Sequence, residues 1–136
     1  MKPSEIFAMK ANVQAQEVFE QGRVAMEGGH PEQAKARFEA ALAIYPQNFD
    51  ALHFLGIVHA QMGLHQFAVS YFKQAAQINP NMAAVHNNLG LTLDDLQRYD
   101  EALASFDRAL ALVPDYAQAF ANKAATQAKA EASYTK

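Results

Sequence analysis

Residues 49–82 read FDALHFLGIVHAQMGLHQFAVSYFKQAAQINPNM, and this stretch decides the fold. Its apolar and small residues recur at steps of three and four, in two blocks. Leu52, Leu55, Gly56, His59 and Met62 form one helical stripe; Ala68, Phe72, Ala75 and Ile78 form a second. Asn48 is placed to cap the first helix, because its side chain can accept from a free backbone N–H. Gly63 supplies a left-handed residue just past that helix's end. Asn79-Pro80 stops the second helix, since proline cannot continue it and turns its neighbour away from helical angles. The stretch therefore predicts two antiparallel helices of about 14 residues, each roughly 21 Å long, joined by a tight turn.

Outward from this unit the same residue types return every 34 positions. The columns are Pro46, Pro80 and Pro114; Gly22, Gly56 and Gly90; Ala34, Ala68 and Ala102; Phe38, Phe72 and Phe106; and Ala41, Ala75 and Ala109. A fixed period of roughly 20–50 residues marks a solenoid, whose units cannot bury their apolar faces alone. Glycine inside a helix costs about 1 kcal/mol relative to alanine. A chain that accepts this three times needs a small residue there, so the helices of each pair are expected to cross closely at glycine. The phenylalanines would fill the space between successive units.

These small-residue, aromatic and proline columns resemble the tetratricopeptide repeat family. The likeness covers 15–48, 49–82 and 83–116, followed by a lone capping helix over 117–132 and a tail, 133–136. It implies an all-α fold, a right-handed α-solenoid of stacked antiparallel helix pairs. There are departures. Val18, Leu52 and His86 stand where the family often has a large aromatic, and Gln97 stands where Gly29 and Gly63 make the turn. In the capping helix, Phe120, Ala124 and Ala128 are expected to form the inner stripe, with Lys123 toward water. The first 14 residues lie outside the period. Ser4 is placed to cap a helix through Ile6, Phe7, Met9 and Val13, which would extend the first repeat helix, add a capping helix or join two chains.

Composition narrows the chemistry. The chain has 136 residues, 51% of them hydrophobic and many of those alanine, which suits closely packed helices. A net charge of −3, from 11 basic and 14 acidic residues, argues against nucleic acid, which needs a basic stripe. No run approaches the ~20 apolar residues of a membrane span, and the start lacks a secretory apolar run. Without cysteine there is neither a disulfide nor a thiol nucleophile; a cytoplasmic location is expected. No two of the five histidines are spaced four apart, so the pair that sets two imidazoles side by side on a helix is missing. His59 and His86 fall in interior columns, His30 and His65 at turns, and His53 on the prospective groove. Asp100 and Glu101 fit a helix N-terminus. Gly28-Gly29 is a turn between helices, with no phosphate loop. No catalytic residue, metal site or cofactor is expected.

The function expected is protein–protein interaction, as an adaptor or scaffold. In the family that this chain resembles, the first helix of each pair lines a concave face that commonly holds an extended peptide. Carried over by column, the candidate peptide-binding residues are Phe19, Arg23, Asp50, His53, Phe54, Ile57, Asn87, Asn88, Leu91, Asp94 and Asn122. Asn88 and Asn122 are 34 apart, similar to the asparagine ladder of O-linked N-acetylglucosamine transferases, and an amide offers donor and acceptor together. Chaperone-binding members use a carboxylate clamp of Lys, Asn, Asn, Lys and Arg; the matching columns here hold Phe19, Arg23, Phe54, Ala84 and Asn88, none of them the clamp residue. Glu20, Glu27, Asp50, Asp94 and Asp95 against a single Arg23 imply a neutral to basic, extended partner. Two alternatives are a substrate-recruiting part of a larger glycosyltransferase or methyltransferase, and a scaffold that self-assembles weakly through its N-terminal segment.

Overall fold

The computed structural model describes residues 1–135. Seven helices follow one another: α1 (Pro3–Glu27), α2 (Pro31–Ile44), α3 (Phe49–Gln61), α4 (His65–Ile78), α5 (Ala83–Asp95), α6 (Tyr99–Leu112) and α7 (Ala117–Tyr134). Among the described residues there is no strand. Helices α1 and α2, α3 and α4, and α5 and α6 pack as antiparallel pairs, and α7 stands alone at the end of the row.

The local signals act as the residue chemistry requires. Asn48 caps α3, its side chain accepting from the Ala51 N–H at 2.8 Å. Past the end of α3, the Gly63 N–H donates to Ala60 and the Leu64 N–H to His59, the paired bonds that close a helix through a left-handed residue. Gly29 and Gly63 hold φ of +79° and +77°, and Gln97 holds +62° in the equivalent turn. The one correction at the start of the chain concerns Ser4. Helix α1 begins at Pro3 with Lys2 as its N-cap, because proline's fixed φ suits the first helical position; Ser4 is already inside the helix.

Close crossing at glycine is the organising contact. A methyl group added at Gly22, Gly56 or Gly90 would stand within 2.6 Å of the ring of Phe38, Phe72 or Phe106 respectively. Each ring is essentially inaccessible to water. The Phe72 and Phe106 rings share one cluster with Leu52, Val85, Leu89 and Leu93, which ties the second helix pair to the third. Phe38 sits in the neighbouring cluster with Phe19, Leu55 and Val58. Ile78, by contrast, ends its stripe exposed.

Residues 3–14 continue α1 without a break, so α1 has 25 residues against the 14 of α2. Its first turns carry exposed Ile6, Phe7, Met9 and Val13. At the other end the expected inner stripe of α7 is wrong. Phe120 is 67% exposed, and Ala124 and Ala128 are exposed too. The buried positions are Ala119, Thr126 and Ala130. The reason is the absence of a covering neighbour. Leu52 and His86, in the column of Phe120, are covered by α4 and α6; no described helix lies over that side of α7. Lys123 is half-buried and pairs with Asp107 at 2.8 Å.

The curvature follows from which helices touch. Odd-numbered helices approach the next odd-numbered one closely, α1 with α3, α3 with α5 and α5 with α7, whereas the backbones of the even-numbered helices stand further apart. A row closed on one side and splayed on the other bends toward the closed side. The odd helices therefore line the concave face.

Candidate functional site

The concave face is held together by pairs of residues 35 positions apart. Phe19 and Phe54 meet edge to face, centroids 5.0 Å apart. One joint further on, Asn88 Nδ2 lies 3.1 Å from His53 Nε2. At the last joint, Asn122 Nδ2 donates to Asn87 Oδ1 at 3.0 Å. One pair of positions thus bridges each odd–odd junction, with aromatic, imidazole–amide and amide–amide chemistry in turn. The sequence reading aligned residues at the repeat step of 34 and so compared equivalent positions. These three contacts add one residue to that step, and the offset is the signal that would have found them; other bonds across the junctions fall at separations of 32, 34 and 36.

Most of the polar candidates are spent on each other. Asp50 accepts from Gln16 Nε2 at 3.0 Å, and Asn48 donates to Asn12 and Gln16. Asp94 accepts from the Thr126 hydroxyl and from Lys129 Nζ, both at 2.7 Å; that carboxylate raises the Lys129 ammonium above its ordinary range. Arg23 is held charged by Glu20, at 2.9 Å, and by Glu27. Phe19, His53, Asn87 and Asp94 are buried in the floor. Phe54, Ile57, Asn88 and Asn122 are half-buried, and Leu91 is 40% exposed. Between α3 and α5 lies an open recess of about 290 Å³, with Ile57, Ala60, Leu91 and the edge of Phe72 as its apolar part and Gln61, Asn88, Thr92 and Asp95 as its polar part.

Three of the histidines, His53, His59 and His86, are buried, whereas His30 is exposed and His65 half-buried. His59 Nδ1 donates to the Leu55 carbonyl at 2.8 Å, and His86 Nε2 to the Pro80 carbonyl at 2.8 Å. Among the described residues no cluster of three or more His, Cys, Asp or Glu could hold a metal ion. Nor is any described helix long and apolar enough to cross a membrane.

Burial holds the His53 imidazole below its usual range, with nearby Asp50 pulling weakly the other way. The unfolded chain thus binds this proton more readily than the folded one. The contribution of neutral His53 to stability is complete above the ordinary imidazole value, about pH 6.5, and is lost as pH falls below it toward the lower folded value. Urea midpoints measured from about pH 7.5 to about pH 5 should fall more steeply for wild type than for His53→Gln. Equal slopes would show that the ring titrates as it does in water.

This fold and face define a helical-repeat solenoid with a concave row of first helices. The sequence pattern of the tetratricopeptide repeat family matches residues 47–115, and a second tetratricopeptide pattern matches 14–48. The chain belongs to the tetratricopeptide repeat family. It is 31% identical over 81 residues to anaphase-promoting complex subunit 3 of Schizosaccharomyces pombe, a match of 60% of this chain and 12% of that protein. The chain thus spans about an eighth of that relative's length. A Thermobaculum terrenum O-GlcNAc transferase mutant, K341M, superposes with a TM-score of 0.79 at 26% identity, over 85% of this chain and 22% of that one. The first tetratricopeptide domain of Spaghetti (RPAP3), bound to the HSP90 peptide SRMEEVD, superposes with a TM-score of 0.82 over 85% of this chain and 93% of that one. At 20% identity that last likeness carries the fold alone.

Proposed function

We propose that this chain is a non-enzymatic protein-interaction module. Its three repeats, 15–48, 49–82 and 83–116, with the helix that follows them, present the concave face to an extended peptide segment. The observation that supports this reading is the state of the odd-helix face. Buried polar groups there, His53, Asn87 and Asp94, are paired with neighbours, Phe54 and Asn122 remain partly open, and Ile57 and Leu91 line a recess. A paired, rigid floor with apolar openings is pre-organised, so a ligand does not have to order it on binding.

The partner is neutral to basic. The columns that would form a carboxylate clamp hold Phe19, Arg23, Phe54, Ala84 and Asn88, and Arg23 is occupied by two glutamates. In those columns, among the described residues, an acidic segment such as the HSP90 peptide bound by Spaghetti meets no comparable free cation. Backbone amide resonances, followed while a peptide selected from an immobilised array is added, test the reading. Shifts concentrated on α1, α3, α5 and α7 are expected. Shifts confined to α2, α4 and α6 would place the partner on the convex side and defeat it.

A further inference from the structure

We propose that the recess between α3 and α5 anchors one large apolar side chain of the peptide, and that Asp95 at its edge pairs with a lysine or arginine neighbouring that side chain. This rests on the peptide-binding reading above and narrows it to a site and a ligand pattern.

The size of the recess sets the first limit. At about 290 Å³ it falls at the lower edge of the ~300–1,000 Å³ typical of small-molecule pockets. It suits a single side chain better than a cofactor. Its lining sets the second. Ile57, Ala60 and Leu91 surround a floor made by Phe72, itself buried to 1% exposure. Thr92 adds no free hydroxyl, since Oγ1 is bonded to the Asn88 carbonyl at 2.8 Å. The depth of the site therefore rewards apolar surface and offers little to a polar group.

Elimination singles out the charge. Of the other concave-face carboxylates, Glu20 and Glu27 hold Arg23, Asp94 is bonded to Thr126 and Lys129, and Asp50, which accepts from the neutral Gln16 amide, does not line this recess. Asp95 is exposed and, among the described residues, meets neither lysine nor arginine; its nearest basic group is His65 Nδ1 at 3.8 Å. It is also the last residue of α5. A negative charge at a helix C-terminus faces the negative end of the helix dipole and destabilises the helix. Asp94 offsets that cost through its bonds to α7. Within the fold Asp95 has only the His65 imidazole at 3.8 Å and the weaker pull of Lys129, which is bonded to Asp94; a cationic ligand group would add a direct partner. Asn88, on the same recess, has a side-chain oxygen not used in its contact with His53 and can accept from a peptide N–H beside the anchor.

Short peptides of varied composition on an array, read with labelled protein, give the first measurement. Binders should share a large apolar residue with lysine or arginine within two positions. Fluorescence anisotropy with the strongest soluble binder then compares wild type with Leu91→Ala and Asp95→Asn. Leu91→Ala should weaken binding about tenfold. Asp95→Asn should weaken it about two- to fivefold, and the difference should vanish at high salt. The same Asp95→Asn variant should melt a few degrees higher than wild type; a merely structural aspartate would give no such opposition between binding and stability. Binding that maps to the concave face but is indifferent to both substitutions would overturn the anchor and leave the wider reading standing. Acidic binders would overturn it as well, and failure of every peptide to bind would remove both. Sedimentation of the protein alone that changes with Leu91→Ala would show a second copy in the recess, which also overturns the proposal.

Discussion

Replacing Phe72 with alanine should lower the unfolding free energy by about 3–5 kcal/mol. The ring is buried to 1% exposure and touches both the second and third helix pairs through Leu52, Val85, Leu89 and Phe106. Its loss removes apolar contact and leaves a void that the glycine beneath cannot fill. Domains of this kind have total stabilities of about 5–15 kcal/mol, so the variant should stand close to its unfolding threshold. The ring also lies at a junction, and its removal should separate the two halves of the row. Urea unfolding followed by circular dichroism should then show a broader transition with a reduced slope, as coupling between neighbouring units weakens. A loss below about 1.5 kcal/mol would mean that the ring does not fill the core as described.

Gly56→Ala is the second large effect, and here two terms oppose. Alanine gains about 1 kcal/mol of helix propensity. Its methyl group, however, would meet the Phe72 ring at a distance that real carbon contacts do not reach. The ring packs in one cluster with Leu52, Val85 and Phe106, so moving it aside would disturb that packing. Overpacking of a well-filled core costs about 1–3 kcal/mol, sometimes more. The clash should win, for a net loss of about 1–2 kcal/mol. A double-variant cycle with Phe72→Leu checks the cause. The smaller side chain should accept the alanine, and the coupling energy should exceed about 1 kcal/mol. Additive effects would remove the close-crossing explanation. Ala124 occupies the same column in α7, where the side chain is exposed and no ring lies above it. There the methyl group is free to favour the helix.

Much of this fold was legible because its signals are local or periodic. Asn48, Gly63 and the three prolines act through backbone geometry, which a sequence states directly. The glycine and phenylalanine columns came from repetition alone, and the structure joins them ring to backbone. The face of α7 departs from its column because a column transfers a residue's environment only when the same neighbours exist. Phe120 inherits the column of Leu52 and His86 without the helix that covers them. On the concave face the candidate side chains His53, Asn87, Asn88 and Asn122 largely bond each other. Periodicity gives equivalent positions; partners across a junction depend on the stagger between helices, which the repeat length does not encode. The recess was half visible. Ile57, Asn88 and Leu91 were among the candidates, whereas Phe72 reaches the site only through helix crossing.

The pattern of touching helices carries a kinetic consequence. Every described tertiary contact joins a helix to its next or next-but-one neighbour. No loop longer than a few dozen residues has to close, and closure entropy grows only slowly with such lengths. Chains of this low contact order typically fold in microseconds to milliseconds. Either terminus can open and reclose while the middle stays intact.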